Sequence, residues 1–210
     1  MDNVIPGLYA STPEPLGFGP SLEIRDFLLQ RQRGNLLVYR SEMLERDVGE
    51  INALGGILRQ YLNHHHEASP ACDWVAKTFD APLHVHEKEA PSVSETCNVA
   101  ETFSERHRLD DDFEVIPTPG HTPHHQSVLL SSGGEALFFP ADLVPTSHHL
   151  PLPWIMGYDV EPLVTLESKR RMLRQAVEEG WILCFEHDPS VGWSRIGLEK
   201  GSYQLMRTPD

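Results

Sequence analysis

The chain has no apolar run near the ~18 residues that a membrane-spanning helix needs, so a membrane is not an expected partner. It is poor in cysteine. Cys72, Cys97 and Cys184 are odd in number, widely spaced and form no CxxC pair. That pattern excludes a disulfide framework and a zinc ribbon. Thiols kept outside disulfides point to a reducing compartment. The opening Met1-Asp2-Asn3-Val4-Ile5-Pro6-Gly7 has neither the basic nor the apolar stretch of a signal peptide, and a cytoplasmic setting is the expectation. Positive charge is also scarce, with 17 basic against 31 acidic residues and a net charge of -14. Such a surface repels phosphate backbones, which argues against nucleic acid as a partner. There is no low-complexity segment, and no internal repeat stands out.

What is present fits a globular fold. Hydrophobic residues make up 40% of 210, enough for a sizeable core. The expectation is a single domain over 1–210, with residues 1–20 as an irregular lead-in because Pro6, Pro13, Pro15 and Pro20 punctuate it. Strands are expected at Ile24–Leu29, Leu36–Tyr39, Ile57–Leu62, Leu83–His86, Phe113–Ile116 and Trp181–Phe185. Gln126–Leu130 and Ala136–Phe139 read as a hairpin around Ser131-Ser132-Gly133-Gly134. Helices are expected from Ser41 to Leu54, from Pro70 to Phe79 with Ser69 as cap, and from Thr165 to Glu179. Residues 87–112 read as strand fragments and loops, and 145–163 as a long functional loop. After Phe185 the tail has room for one more short element. Alternating strands and helices make the class α/β or α+β with mixed sheets.

Twelve histidines is a high count, and their placement matters more than their number. Several polar residues follow directly on an expected strand: His64 and His66, His121, Asp142 and His187. Strand ends are where such folds place their sites. In an extended segment residues two apart share a face, so His64 and His66 can converge while His65 points elsewhere. Imidazole with carboxylate suits zinc, iron or manganese. His84 and His86 share a strand face without a partner motif and read as structural.

In this order the motifs resemble the metallo-β-lactamase-fold hydrolases, the superfamily that includes glyoxalase II and the acyl-homoserine-lactone lactonases. The T-H-x-H-x-D-H motif is met by Asn63-His64-His65-His66-Glu67-Ala68-Ser69. P-G-H-T-P-G-H is met by Pro119-Gly120-His121-Thr122-Pro123-His124-His125, with His124 where glycine is usual. The strand followed by Gly-Asp is met by Leu137 to Leu143, with Ala141 for the glycine and Asp142 for the aspartate. His187 meets the late histidine. The usual L-I-D-T-G strand end reads Leu37-Val38-Tyr39-Arg40-Ser41, without its aspartate.

The resemblance implies an α+β fold, a four-layer αβ/βα sandwich. It implies one metal at His64, His66 and His121 with Asp142 beside them. For the second metal only His187 and the shared Asp142 remain, because Ala68 and Ser69 replace an aspartate and a histidine. Glu67 and Asp73 are nearby carboxylates, but a strand end would turn Glu67 away from His66. The implied function is hydrolysis of a small ester, thioester or lactone by one metal ion, most simply Zn2+, and its water. Asp142 would orient the water and His187 would act as acid or base. Trp154, Ile155, Met156 and Tyr158 would line the pocket. The alternatives are a mononuclear iron persulfide-dioxygenase-like oxidoreductase and a weakened binding homologue.

Overall fold

The computed structural model describes residues 1–17, 22–39 and 42–206. Arg40 and Ser41, and with them the expected Ser41 cap, lie outside the described residues. The chain divides into two compact units, Met1–Glu105 and Arg106–Asp210.

In the first unit the strands are β1 (Asp2–Ile5), β2 (Leu8–Ala10), β3 (Glu14–Pro15), β4 (Glu23–Ile24), β5 (Phe27–Leu29) and β6 (Leu36–Val38). Then come α1 (Val48–Ala53), β7 (Arg59–Tyr61), α2 (Pro70–Phe79), β8 (Leu83–His86), α3 (Ala90–Val93) and β9 (Glu101–Phe103). One sheet runs β1-β2-β5-β6-β7-β8-β9, and β3 pairs with β4 in a separate two-stranded sheet. β1, β2, β5 and β6 pair antiparallel, whereas β6 to β9 are parallel and linked through α1, α2 and α3. β6 and β8 are buried along their whole length, the continuous burial expected of parallel strands covered on both faces.

Of the irregular lead-in expected for residues 1–20, residues 18–20 lie outside the described residues, and 1–17 are largely paired into strands. β1 and β2 join the sheet, because Leu8 and Ala10 are buried against β5. Pro6 and Gly7 make the turn between β1 and β2, with Gly7 at φ 89, whereas Pro15 lies within β3. The expected helix from 41 to 54 is shorter. Leu44–Asp47 form a 3-10 turn, and α1 follows it. α2 starts at Pro70 and stops where Asp80 turns left-handed. Ser69 holds its N-cap position without a side-chain cap bond. The helix α3, within 87–112, was not expected.

The second unit holds β10 (His107–Asp110), β11 (Phe113–Pro117), β12 (Gln126–Ser132), β13 (Glu135–Phe139), α4 (Pro162–Glu179), β14 (Ile182–Cys184), β15 (Trp193–Glu199) and β16 (Ser202–Leu205). They make one sheet in that order. All neighbours pair antiparallel except β13 and β14, which are parallel across the α4 crossover. The expected hairpin is β12–β13. The tail carries two strands, longer than the single element expected. α4 begins at Pro162, not Thr165, since proline suits the first helical position. The Thr165 hydroxyl instead donates to the Glu161 carbonyl at 3.4 Å. Ile116, Phe138, Met172, Leu173, Trp181 and Phe185 form the heart of this unit's core.

Candidate metal centre

Within the first unit, β7 leads to His64, which is extended (φ -164, ψ 169) and 1% exposed. The chain then tightens into a 3-10 turn over His65–Glu67. Two contacts make that turn. The Glu67 N–H donates to the His64 carbonyl at 3.3 Å, and Glu67 Oε2 accepts the Asn63 N–H at 3.0 Å. The strand alternation assumed for His64 and His66 therefore does not hold. Their rings still lie close, with centroids 5.2 Å apart and perpendicular. His66 is exposed. Both the backbone N–H and the Nδ1 of His65 meet Glu89, just before α3. Glu67 does not point idly outward, since its Oε1 lies 3.1 Å from His64 Nδ1.

Within the second unit, β11 runs into the Pro119-Gly120-His121 turn. Gly120 has φ +136, and a Cβ there would overlap the backbone of Thr165 in α4. Only glycine lets this turn seat on the helix. The turn delivers His121 with its side chain fully buried. Its Nε2 lies 3.1 Å from Asp142 Oδ2, and its Nδ1 lies 2.8 Å from Asp159 Oδ1. Asp142 follows β13 in the 3-10 turn Ala141–Leu143. Its second oxygen, Oδ1, lies 3.5 Å from His187 Nε2. One carboxylate is thus bracketed by two imidazoles. His187 is set just past β14, its N–H bonded to the Pro145 carbonyl at 3.1 Å.

The loop before α4 is tied down. The Lys169 side chain, 0% exposed, donates from Nζ to the carbonyls of Pro151 at 2.9 Å, Leu152 at 3.4 Å and Trp154 at 2.6 Å. Burial pushes its ammonium down to about 8, while the Asp159 charge pulls it up. Burial, followed by the Lys169 charge, also lowers His149. Asp188 is held below its ordinary value: burial works to raise it, but hydrogen bonds from Ser147, Ser190 and Val191 outweigh that. Of the four expected lining residues, Met156 is buried, while Trp154 is 62% and Tyr158 54% exposed. The Tyr158 ring stands 5.5 Å from that of His121.

Known proteins share this architecture. A hydrolase of the beta-lactamase superfamily superposes with a TM-score of 0.71 at 20% identity, over 90% of this chain and 81% of its own. A probable metal-dependent hydrolase from Staphylococcus aureus gives 0.68 at 15% identity, over 98% and 99%. The chain has the metallo-β-lactamase fold. A dizinc quorum-quenching lactonase, solved with an N-acyl-homoserine product, gives 0.69 at 15% identity over 90% of this chain and 80% of its own. By sequence, an N-acyl homoserine lactonase from a Bacillus species is 34% identical over 89 residues, 38% of this chain. That match spans only 34% of the lactonase's length. No family model matches.

Against the metallo-β-lactamase fold, the local departures acquire physical meaning. Ala141 stands where glycine is usual and adopts φ 48, a left-handed conformation that glycine accepts without strain. Ala68 and Ser69, in place of two ligands, end the 3-10 turn and precede α2. Sequence reasoning missed Asp159, Lys169 and the contact of Glu67 with His64. Lys169 had a signal: it falls on the same stripe of α4 as the buried Thr165, Met172, Leu173 and Ala176, an inward position for a charged residue. Asp159 sits in an aperiodic loop and had none.

Proposed function

We propose that the chain is a metal-dependent hydrolase acting on a small ester, thioester or lactone. His64, His66 and His121, each able to offer a ring nitrogen, would hold a single ion, zinc being the best match to the donors. Asp142 and His187 would complete the group. The observation that carries this reading is the Asp142 carboxylate bracketed by His121 and His187 at strand ends. The donor set is imidazole and carboxylate throughout, which fits a divalent ion. Such an ion supplies Lewis acidity and an acidified water. The chain's own residues then have separate tasks. Asp142 orients the attacking water and takes its proton, a duty that the alanine at position 68 cannot share. His187, 11% exposed at its side chain, can deliver a proton to the leaving oxygen or sulfur. Tyr158 and Met156 supply an apolar wall for the substrate. The relatives named above act by hydrolysis, which favours this reading over persulfide oxidation. The buried thiols of Cys72, Cys97 and Cys184 suit a reducing cytoplasm.

Metal analysis of the purified protein with a panel of lactones and thioesters tests the proposal. About one equivalent of zinc is expected, with hydrolysis that His121→Ala abolishes while the circular dichroism spectrum is retained. A protein that binds no metal, ignores chelators and hydrolyses nothing is a ligand-binding homologue, and the proposal fails.

A further inference from the structure

The Nδ1 edge of His121 is as closely engaged as its Nε2 edge. Asp159 Oδ1 lies 2.8 Å from Nδ1, and both side chains are fully buried. The two nitrogens of an imidazole point in divergent directions. A carboxylate bonded at Nδ1 is therefore out of reach of an ion held at Nε2, on the Asp142 side. Asp159 is brought there deliberately. The next two residues pair their backbones with the Pro-Gly-His turn: the Val160 N–H donates to the His121 carbonyl at 3.2 Å, and the Glu161 N–H to the Gly120 carbonyl at 2.9 Å. Upstream, the Lys169 ammonium grips the carbonyls of Pro151, Leu152 and Trp154. The loop is thus fixed on both sides of Asp159.

A merely structural tie would be better served by a neutral acceptor. Asp159 Oδ2 is buried and makes no hydrogen bond among the described residues, and a buried charge half satisfied is costly. The cost is understandable where the charge acts on the histidine. An ionised carboxylate only accepts, so it sets the imidazole proton on Nδ1, leaves the lone pair on Nε2 and raises the ring's basicity as a ligand.

We propose that Asp159 is a positioning residue, fixing His121 as the Nδ1–H tautomer with Nε2 presented for ligation, and that Lys169 anchors the loop that carries it. The proposal rests on the metal-hydrolase reading for its purpose but not for its first measurement. In the metal-free protein, 15N–1H correlation spectra report the tautomer, with His121 assigned by the loss of its signals in His121→Gln. Wild type shows Nδ1–H, and Asp159→Ala shifts His121 towards Nε2–H. With zinc, competition against a chromophoric chelator shows affinity falling about 10- to 100-fold in Asp159→Ala, with unchanged stoichiometry at saturation. If the alanine variant fails to fold, Asp159→Asn, which keeps the size and an acceptor but not the charge, shows a smaller fall in affinity at an unchanged melting temperature. Two results overturn the proposal: a tautomer and affinity indifferent to position 159, or a loss of stoichiometry in Asp159→Ala matching that of His121→Ala, which would make Asp159 a ligand. A wild type that binds no zinc defeats the hydrolase reading, and the tautomer spectra still decide for or against Asp159.

Discussion

Ala141 holds a left-handed conformation beside Asp142, where an L-residue with a Cβ carries roughly 1–2 kcal/mol of strain. Ala141→Gly removes that strain but loosens the unfolded chain by about 0.4–1 kcal/mol. A net gain of roughly 0.5–1 kcal/mol is expected in urea denaturation, and a destabilised variant would contradict the strain argument. Gly120 is the reverse case. Gly120→Ala forces a methyl into the Thr165 backbone and is expected to cost more than about 2 kcal/mol and to unseat His121. A variant with wild-type stability and metal content would sink that view of the turn. On the proposed one-ion reading, Ala68 and Ser69 are what limit the metal count. The double variant Ala68→Asp with Ser69→His should raise zinc stoichiometry from about one towards two. A value fixed at one means that the 3-10 turn does not place these positions as ligands.

At the scale of elements, α4 joins the second sheet to the candidate centre. It presses on the Pro-Gly-His turn through Thr165 and holds the loop through Lys169. The lysine makes stability pH-dependent in a known direction. Its folded pKa of about 8 lies below its ordinary 10.5. Between these values the unfolded chain binds a proton that the folded chain does not, so raising the pH favours folding. Relative to Lys169→Met, wild type should gain up to about 1.4 kcal/mol per pH unit over that window and nothing below it. A pH-independent difference between the two melts would refute the assignment. Much of this architecture was legible in the letters. Leu36–Val38, the hairpin over 126–139 and Pro70–Phe79 announce themselves by apolar runs, turn glycines and a helix-starting proline. The turn at His65–Glu67 was not legible. Its causes are a backbone bond and a carboxylate reaching back to Asn63, and the pattern of side chains does not encode them. The same holds for Lys169, whose partners are carbonyls, and for Asp159, whose place depends on backbone pairing to a turn far away in sequence.

For the whole molecule, the charge of -14 raises the local concentration of cations without choosing among them. On the proposed reading the choice falls to the histidines. A ligand that binds only the folded chain stabilises it by about 2.7 kcal/mol at a hundredfold excess over its dissociation constant. For a chain of this size that is roughly 5–10 °C in melting temperature. Zinc should produce such a rise, a chelator should reverse it, and His121→Ala should be insensitive to both. Coincident melts for wild type with and without zinc would count against metal binding. None of the described helices is long and apolar enough to cross a membrane.

The pairing of Val160 and Glu161 with the Pro-Gly-His turn also restricts how this sequence can change in length. Pro162 starts α4 one residue later, so the stretch from Asp159 to Pro162 has no slack: one added residue there would displace the carboxylate by a full backbone step. Gly157 is exposed and its Cα faces open space. Insertions and deletions that keep the centre intact should therefore collect around Gly157, and a library randomised for loop length should return functional clones there and almost none between 159 and 162.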